Sequence, residues 1–186
     1  AVLIGHLRKA VSGAVTTDNA HPIRVDTEHA GPFLLAHNGH VREPLLASLR
    51  ADLDDAGDRS GARADCDTVV LAHWLAARID PGADDRGLAE ALRDLLRRAQ
   101  ALEDPHEAYT GLNLLAALPD GLAVLRHFSR YPDYYTLWHR DDGDSALIAS
   151  ERTDDSPDWE LLAPGVLSFF GTDGAPPRRW QIADPA

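Results

Sequence analysis

The spacing of apolar residues changes twice along this 186-residue chain, and the changes divide it into three regimes. Residues 1–8, "AVLIGHLR", and 32–39, "PFLLAHNG", are short apolar runs of strand length. Between them lies a polar loop punctuated by Gly13, Asn19 and Pro22, with a brief strand expected at 23–25. From 42 to 102 the apolar period lengthens to three and four. Leu45, Leu46, Leu49 and Leu53 predict a helix over 42–56. Residues 57–64, "GDRSGARA", read as a loop. A second helix is expected over 65–79, opened by Asp65 and stopped by "DPG". A third is expected over 87–102, with Leu88, Leu92, Leu95, Leu96 and Ala99 on one face.

After Pro105 the strand pattern returns. Pro119-Asp120-Gly121 predicts a hairpin turn between two apolar runs. "YYTLWHR" and "SALIASER" flank "DDGD" as a second hairpin. Residues 159–171 and 178–186 supply further strands. Strands, helices, then many strands describe an α+β fold in a single domain over residues 1–186.

Composition narrows the partners. Hydrophobic residues make up 44% and charged residues 26%, which is ordinary for a globular chain. No apolar run approaches the roughly 20 residues of a membrane span, so no membrane partner is expected. Thirty acidic against 18 basic residues give a net charge of −12, which excludes a nucleic-acid backbone as the expected partner. All but one of the basic residues are Arg, and Ala is abundant, which suggests a GC-rich, bacterial coding source. The single Cys66 rules out an internal disulfide, and the nine His follow no metal-ligand spacing, so no metal is expected. There is no signal peptide at the start, and a cytoplasmic location is expected. There is no Met, and "AVLIGHLRKA" reads as the middle of a strand. A further N-terminal segment is therefore expected, upstream or on another chain.

Three stretches could hold chemistry, and each has a plain structural alternative. Arg8 is either an outward residue of an edge strand or a planar fork for a carboxylate. Asn38-Gly39 is either a hairpin turn or an anion cradle, in which an amide and a closely approaching N–H share one oxyanion. "ADCDT", residues 64–68, is either ordinary acidic helix capping or a site where Asp65 binds an ammonium group. A rival gives the thiol there, Cys66, the role of nucleophile or redox sensor, because a helix N-terminus lowers a thiol pKa.

In combination, "HxRxA..G", "NxHP", "HNG" and an acid-rich helix start resemble the class II glutamine amidotransferases, which are N-terminal-nucleophile enzymes. In that family "HNG" ends a central strand and "TDSE" opens a helix; the stretches matched here are residues 37–39 and 64–67. Residues 146–170 also look like the small stand-alone members, such as the amidase of ergothioneine biosynthesis. The resemblance implies a four-layer αββα sandwich lacking its N-terminal segment, with no cofactor. It implies hydrolysis of glutamine or a γ-glutamyl amide by a cysteine upstream of Ala1. Carried across, Arg8, assisted by Lys9, would hold the α-carboxylate and Asp65 the α-ammonium. Asn38 and the Gly39 N–H would stabilise the oxyanion, and His37 and His21 would shape the loops, His37 beside the substrate. Val11 and Cys66 depart from the family's Thr and Ser. The alternative is an inactive subunit that binds the same small molecule.

Overall fold

The computed structural model describes residues 1–7, 13–28, 31–79, 84–143 and 145–183. Its centre is the strand pair β2 (Gly31–Val41) and β3 (Tyr109–Leu118), the two longest strands. They run antiparallel, with Leu34 opposite Ala117 and Asn38 opposite Asn113. β1 (Ile23–Thr27) flanks β2, while β4 (Gly121–Leu125), β8 (Val166–Gly171) and β9 (Arg178–Gln181) extend the other side. The six-stranded sheet has the order β1-β2-β3-β4-β8-β9, antiparallel throughout. The predicted turn at Pro119-Asp120 joins β3 to β4, with Leu118 facing Gly121.

Helices α1 (Leu45–Asp55), α2 (Arg59–Ala62), α3 (Asp67–Ile79) and α4 (Asp85–Gln100) contact one another and form one layer. α3 is the pivot. It lies on β1 and β2 and touches all three other helices, so Leu71, Trp74 and Leu75 are all sealed from solvent. α4 buries the predicted stripe of Leu88, Leu92, Leu95, Leu96 and Ala99, and Asp84 caps it by accepting from Gly87 N at 2.7 Å. Phe33 and Leu35 join this helix-side core, so by strand alternation Leu34, Ala36 and Asn38 face the other way.

On that other face lies a smaller sheet of order β6-β5-β7, from β5 (Trp138–Asp141), β6 (Ala146–Ala149) and β7 (Glu160–Leu161). Phe169 belongs to the helix-side core, and its neighbour Phe170 points the opposite way to meet the His139 ring at 4.9 Å. Helices, large sheet and small sheet therefore stack in that order, a mixed α/β fold with antiparallel sheets. Residues 57–64 differ from expectation: Asp58 accepts from Gly61 N at 3.0 Å and closes a single helical turn there. Residues 1–7 form no strand, because no ladder partner flanks them among the described residues. Leu3 and Leu7 stand fully exposed. No helix among the described residues is long and apolar enough to cross a membrane.

Candidate functional site

The end of β2 opens onto a cavity of about 660 Å³ between the two sheets. Three features of the sequence build its floor. Gly39 has a φ of +151°, and a Cβ there would sit 1.9 Å from the Gly111 carbonyl oxygen, so no other residue fits. Immediately before it, Asn38 lies directly opposite Asn113. Asn113 is engaged at both atoms: its Nδ2 donates to Thr136 O at 3.0 Å and its Oδ1 accepts from His127 N at 3.2 Å. The Asn38 amide lines the cavity and has no hydrogen-bond partner among the described residues. It is a donor available to a ligand.

His37 is buried beneath them. Its Nε2 lies 3.0 Å from Gly111 O, and a carbonyl only accepts, so Nε2 carries the proton. Its Nδ1 then accepts from the Thr68 hydroxyl at 3.0 Å. Burial lowers its pKa, with Asp67 opposing in part, and both ring nitrogens are engaged within the fold. It fixes the strand end against α3.

α3 begins at Asp67, two residues beyond the sequence expectation. The Asp67 carboxylate is 4% exposed and lines the cavity. Its Oδ2 accepts from Val41 N at 2.8 Å and lies 3.1 Å from His40 Nδ1. Its Oδ1 is turned toward the Cys66 thiol at 3.9 Å. Arg42 also lines the cavity and is ion-paired with Glu107.

Of the residues singled out from the sequence, Asn38, Gly39 and His37 lie together at this cavity. Arg8 and Lys9 lie outside the described residues. Asp65 does not line it. Its carboxylate accepts from Ala14 N at 2.8 Å and Asn19 Nδ2 at 3.0 Å, and it borders a separate hollow with Thr17 and Arg63. The reason is helical geometry. The chain turns into α3 between the two acids, so Asp65 points back to the loop at 13–20 and Asp67 points into the cavity. Cys66 is 1% exposed, which overturns its reading as an accessible thiol. His21 packs its ring on His6 at 4.3 Å between centroids at the cavity edge. Among the described residues no group of three or more His, Cys, Asp or Glu is placed to hold a metal.

No family model matches the chain. Its sequence is 36% identical over 126 residues to glutamine–fructose-6-phosphate aminotransferase of Streptomyces coelicolor, covering 68% of this chain and 18% of that protein. It is 29% identical over 177 residues to the enzyme of the same name from Bradyrhizobium diazoefficiens, covering 92% of this chain and 26% of the relative. The chain thus spans about a quarter or less of the length of these relatives. In fold it matches the glutamine phosphoribosylpyrophosphate amidotransferase of B. subtilis with a TM-score of 0.62, over 96% of this chain and 34% of that one, at 18% identity. It also matches a class-II glutamine aminotransferase domain protein from Silicibacter pomeroyi, with a TM-score of 0.60 over 91% of this chain and 74% of that one, at 21% identity.

Proposed function

From its place as a homologue of the class II glutamine amidotransferase domain, we infer that this chain takes part in hydrolysing the side-chain amide of glutamine or of a γ-glutamyl compound. One observation carries the reading. The amide of Asn38, which has no hydrogen-bond partner among the described residues, the Cβ-intolerant Gly39 and the buried carboxylate of Asp67 converge on one cavity.

Each group has a task. The Asp67 carboxylate, anchored at Oδ2 by Val41 N–H, lines the cavity and brings the negative charge that an α-ammonium group requires. We assign Asp67 the role that the sequence pattern gave to Asp65. Arg8, with Lys9, takes the α-carboxylate. The Asn38 Nδ2–H and the Gly39 N–H donate to the amide oxygen as it becomes an oxyanion, and each such donor is worth about 3–4 kcal/mol of barrier. A thiolate attacks the amide carbon, forming a C–S bond. The C–N bond then breaks and the amine leaves with a proton. Water attacks the γ-glutamyl thioester, releasing glutamate and restoring the thiol. The nucleophile belongs to a cysteine outside these 186 residues, because the one thiol here, Cys66, is buried. That same burial supports the second reading, a subunit that binds glutamine or a γ-glutamyl compound without cleaving it. The reaction calls for no cofactor, and its partner is a small molecule in the cytoplasm.

The test is glutamate release by the full gene product from L-glutamine and from a γ-glutamyl amide. Turnover that falls about 10²–10³-fold in Asn38→Ala, with folding unchanged, is the expected result. Tight binding of both compounds without turnover selects the second reading. Neither binding nor turnover would overturn both.

A further inference from the structure

His40 lines the cavity on the same strand as Asn38 and Gly39, and it stands at a break in the central ladder. Gly39 pairs with Leu112 and Val41 with Tyr109, so two residues of β3, Thr110 and Gly111, oppose this one residue of β2. A bulge of this kind re-aims a side chain, and such bulges gather next to active sites. Here the ring is aimed at the start of α3. Its Nδ1 lies 3.1 Å from Asp67 Oδ2, the oxygen that also accepts from Val41 N. An ionised carboxylate only accepts, so Nδ1 carries the proton. A second proton must go to Nε2, which has no hydrogen-bond partner among the described residues, on a ring 30% exposed.

The charge of this pair decides what the cavity offers an ammonium group. With His40 neutral, the pair carries the negative charge of Asp67. With His40 protonated, the pair is neutral, and a cation already stands against the oxygen that the ammonium group would approach. The other groups on the cavity do not supply this change. His37 is held neutral by burial, with both ring nitrogens bonded. Arg42 is ion-paired with Glu107, which also meets Arg130 at 2.5 Å. Thiols and phenols, here Cys66, Tyr134 and Tyr135, belong to classes that ionise above neutral pH. His6 and His21, ring against ring at the cavity edge, are the rival source of a response to acid.

We propose that His40 is a positioning residue that sets the charge at Asp67, so that the site takes up an α-amino acid at neutral pH and releases it in mild acid. The proposal rests on the reading of Asp67 as the partner of the substrate ammonium group. By linkage the effect is reciprocal: an ammonium group bound at Asp67 makes His40 harder to protonate.

The test is the affinity of the full gene product for L-glutamate, by titration calorimetry at pH 7.5 and pH 5.5. The free amino acid keeps its own charges over that interval. Binding is expected to weaken about tenfold at the lower pH, and to change by less than about twofold in His40→Asn. Asn keeps a neutral N–H donor near the place of Nδ1 and takes up no proton; His40→Gln serves in its stead if that variant does not fold. Wild-type binding at pH 6.0 is also expected to release protons, read from buffers of different ionisation enthalpy. Wild-type affinity equal at the two pH values, with no proton release, would overturn the proposal and leave amide hydrolysis standing. A His40 variant as sensitive to acid as the wild type would overturn it too, moving the effect to His6 or His21. No binding at either pH would overturn the amide-hydrolase reading together with this one.

Discussion

Replacing Gly39 by Ala isolates the tightest point of the site. The added Cβ would lie 1.9 Å from Gly111 O, 2.4 Å from Gly111 C and 2.7 Å from His37 Nε2. None of these can yield cheaply. Gly111 is backbone of the neighbouring central strand, and its own carbonyl accepts from His37. The φ of +151° adds strain that any L side chain feels, about 1–3 kcal/mol. Overpacking adds a further 1–3 kcal/mol. The total is about 2–6 kcal/mol, a large share of a domain stability of about 5–15 kcal/mol. Gly57→Ala is the control. Its φ is +80°, but nothing lies within 4 Å of the added carbon, so it loses only the left-handed backbone preference, about 1–2 kcal/mol. Urea unfolding followed by circular dichroism separates the two. With a slope of about 2 kcal/mol per M, the midpoint falls by about 1–3 M for Gly39→Ala and by about 0.5–1 M for Gly57→Ala. Equal shifts would show that the close approach of β2 to Gly111 does not exist in the protein.

Asn38→Ala is expected to leave the urea midpoint within error, since its amide bonds to none of the described residues, while abolishing the oxyanion contact; a large loss of stability would refute the assignment of a free donor. Arg126→Met strips three carbonyls, those of Pro132, Tyr135 and Leu162, of their donor and should cost about 2–4 kcal/mol, readable in the same assay; a change below 0.5 kcal/mol in magnitude, on the order of a neutral surface substitution, would contradict these bonds. Burial holds His127 down to about 4, with the Tyr109 hydroxyl bonded to its Nε2 at 2.8 Å. The folded state thus refuses a proton that the unfolded chain accepts near pH 6.5, so stability is full above pH 6.5 and declines as pH falls toward 4, by on the order of 2 kcal/mol from this residue. His127→Gln should flatten the unfolding midpoint over that interval, and an unchanged pH profile would refute the burial. Asp52→Asn weakens the carboxylate that receives Trp74 Nε1 at 3.0 Å, Arg98 at 2.9 Å and Arg78 at 2.5 Å, and should lower stability by about 1–3 kcal/mol at low salt, with little effect contradicting the network.

The sequence displays those parts of the fold that depend on neighbours in the chain. The leucine stripes of α1 and α4 and the turn at Pro119-Asp120 form where their spacing indicates, because three- and four-residue periodicity and turn chemistry are local. Asn38-Gly39 stands inside β2 and not in the hairpin turn that the sequence offered as its plain alternative, because the strand pairing with β3 continues past it. Residues 1–7 have the composition of a strand, but a strand is made by its partner, and composition does not supply one. Asp65 and Asp67 face different hollows because α3 begins at the second of them, and at a helix boundary a shift of two residues turns a side chain to another face. The bonds of Arg126 were invisible, since three carbonyl acceptors leave no trace in sequence.

Titration calorimetry with L-glutamate, the product common to every version of the reaction, tests the central claim most directly on the full gene product. Binding that weakens tenfold or more in Asp67→Asn and stays within about threefold in Asp65→Asn is the result expected. Loss of binding in Asp65→Asn with Asp67→Asn unaffected would contradict the account.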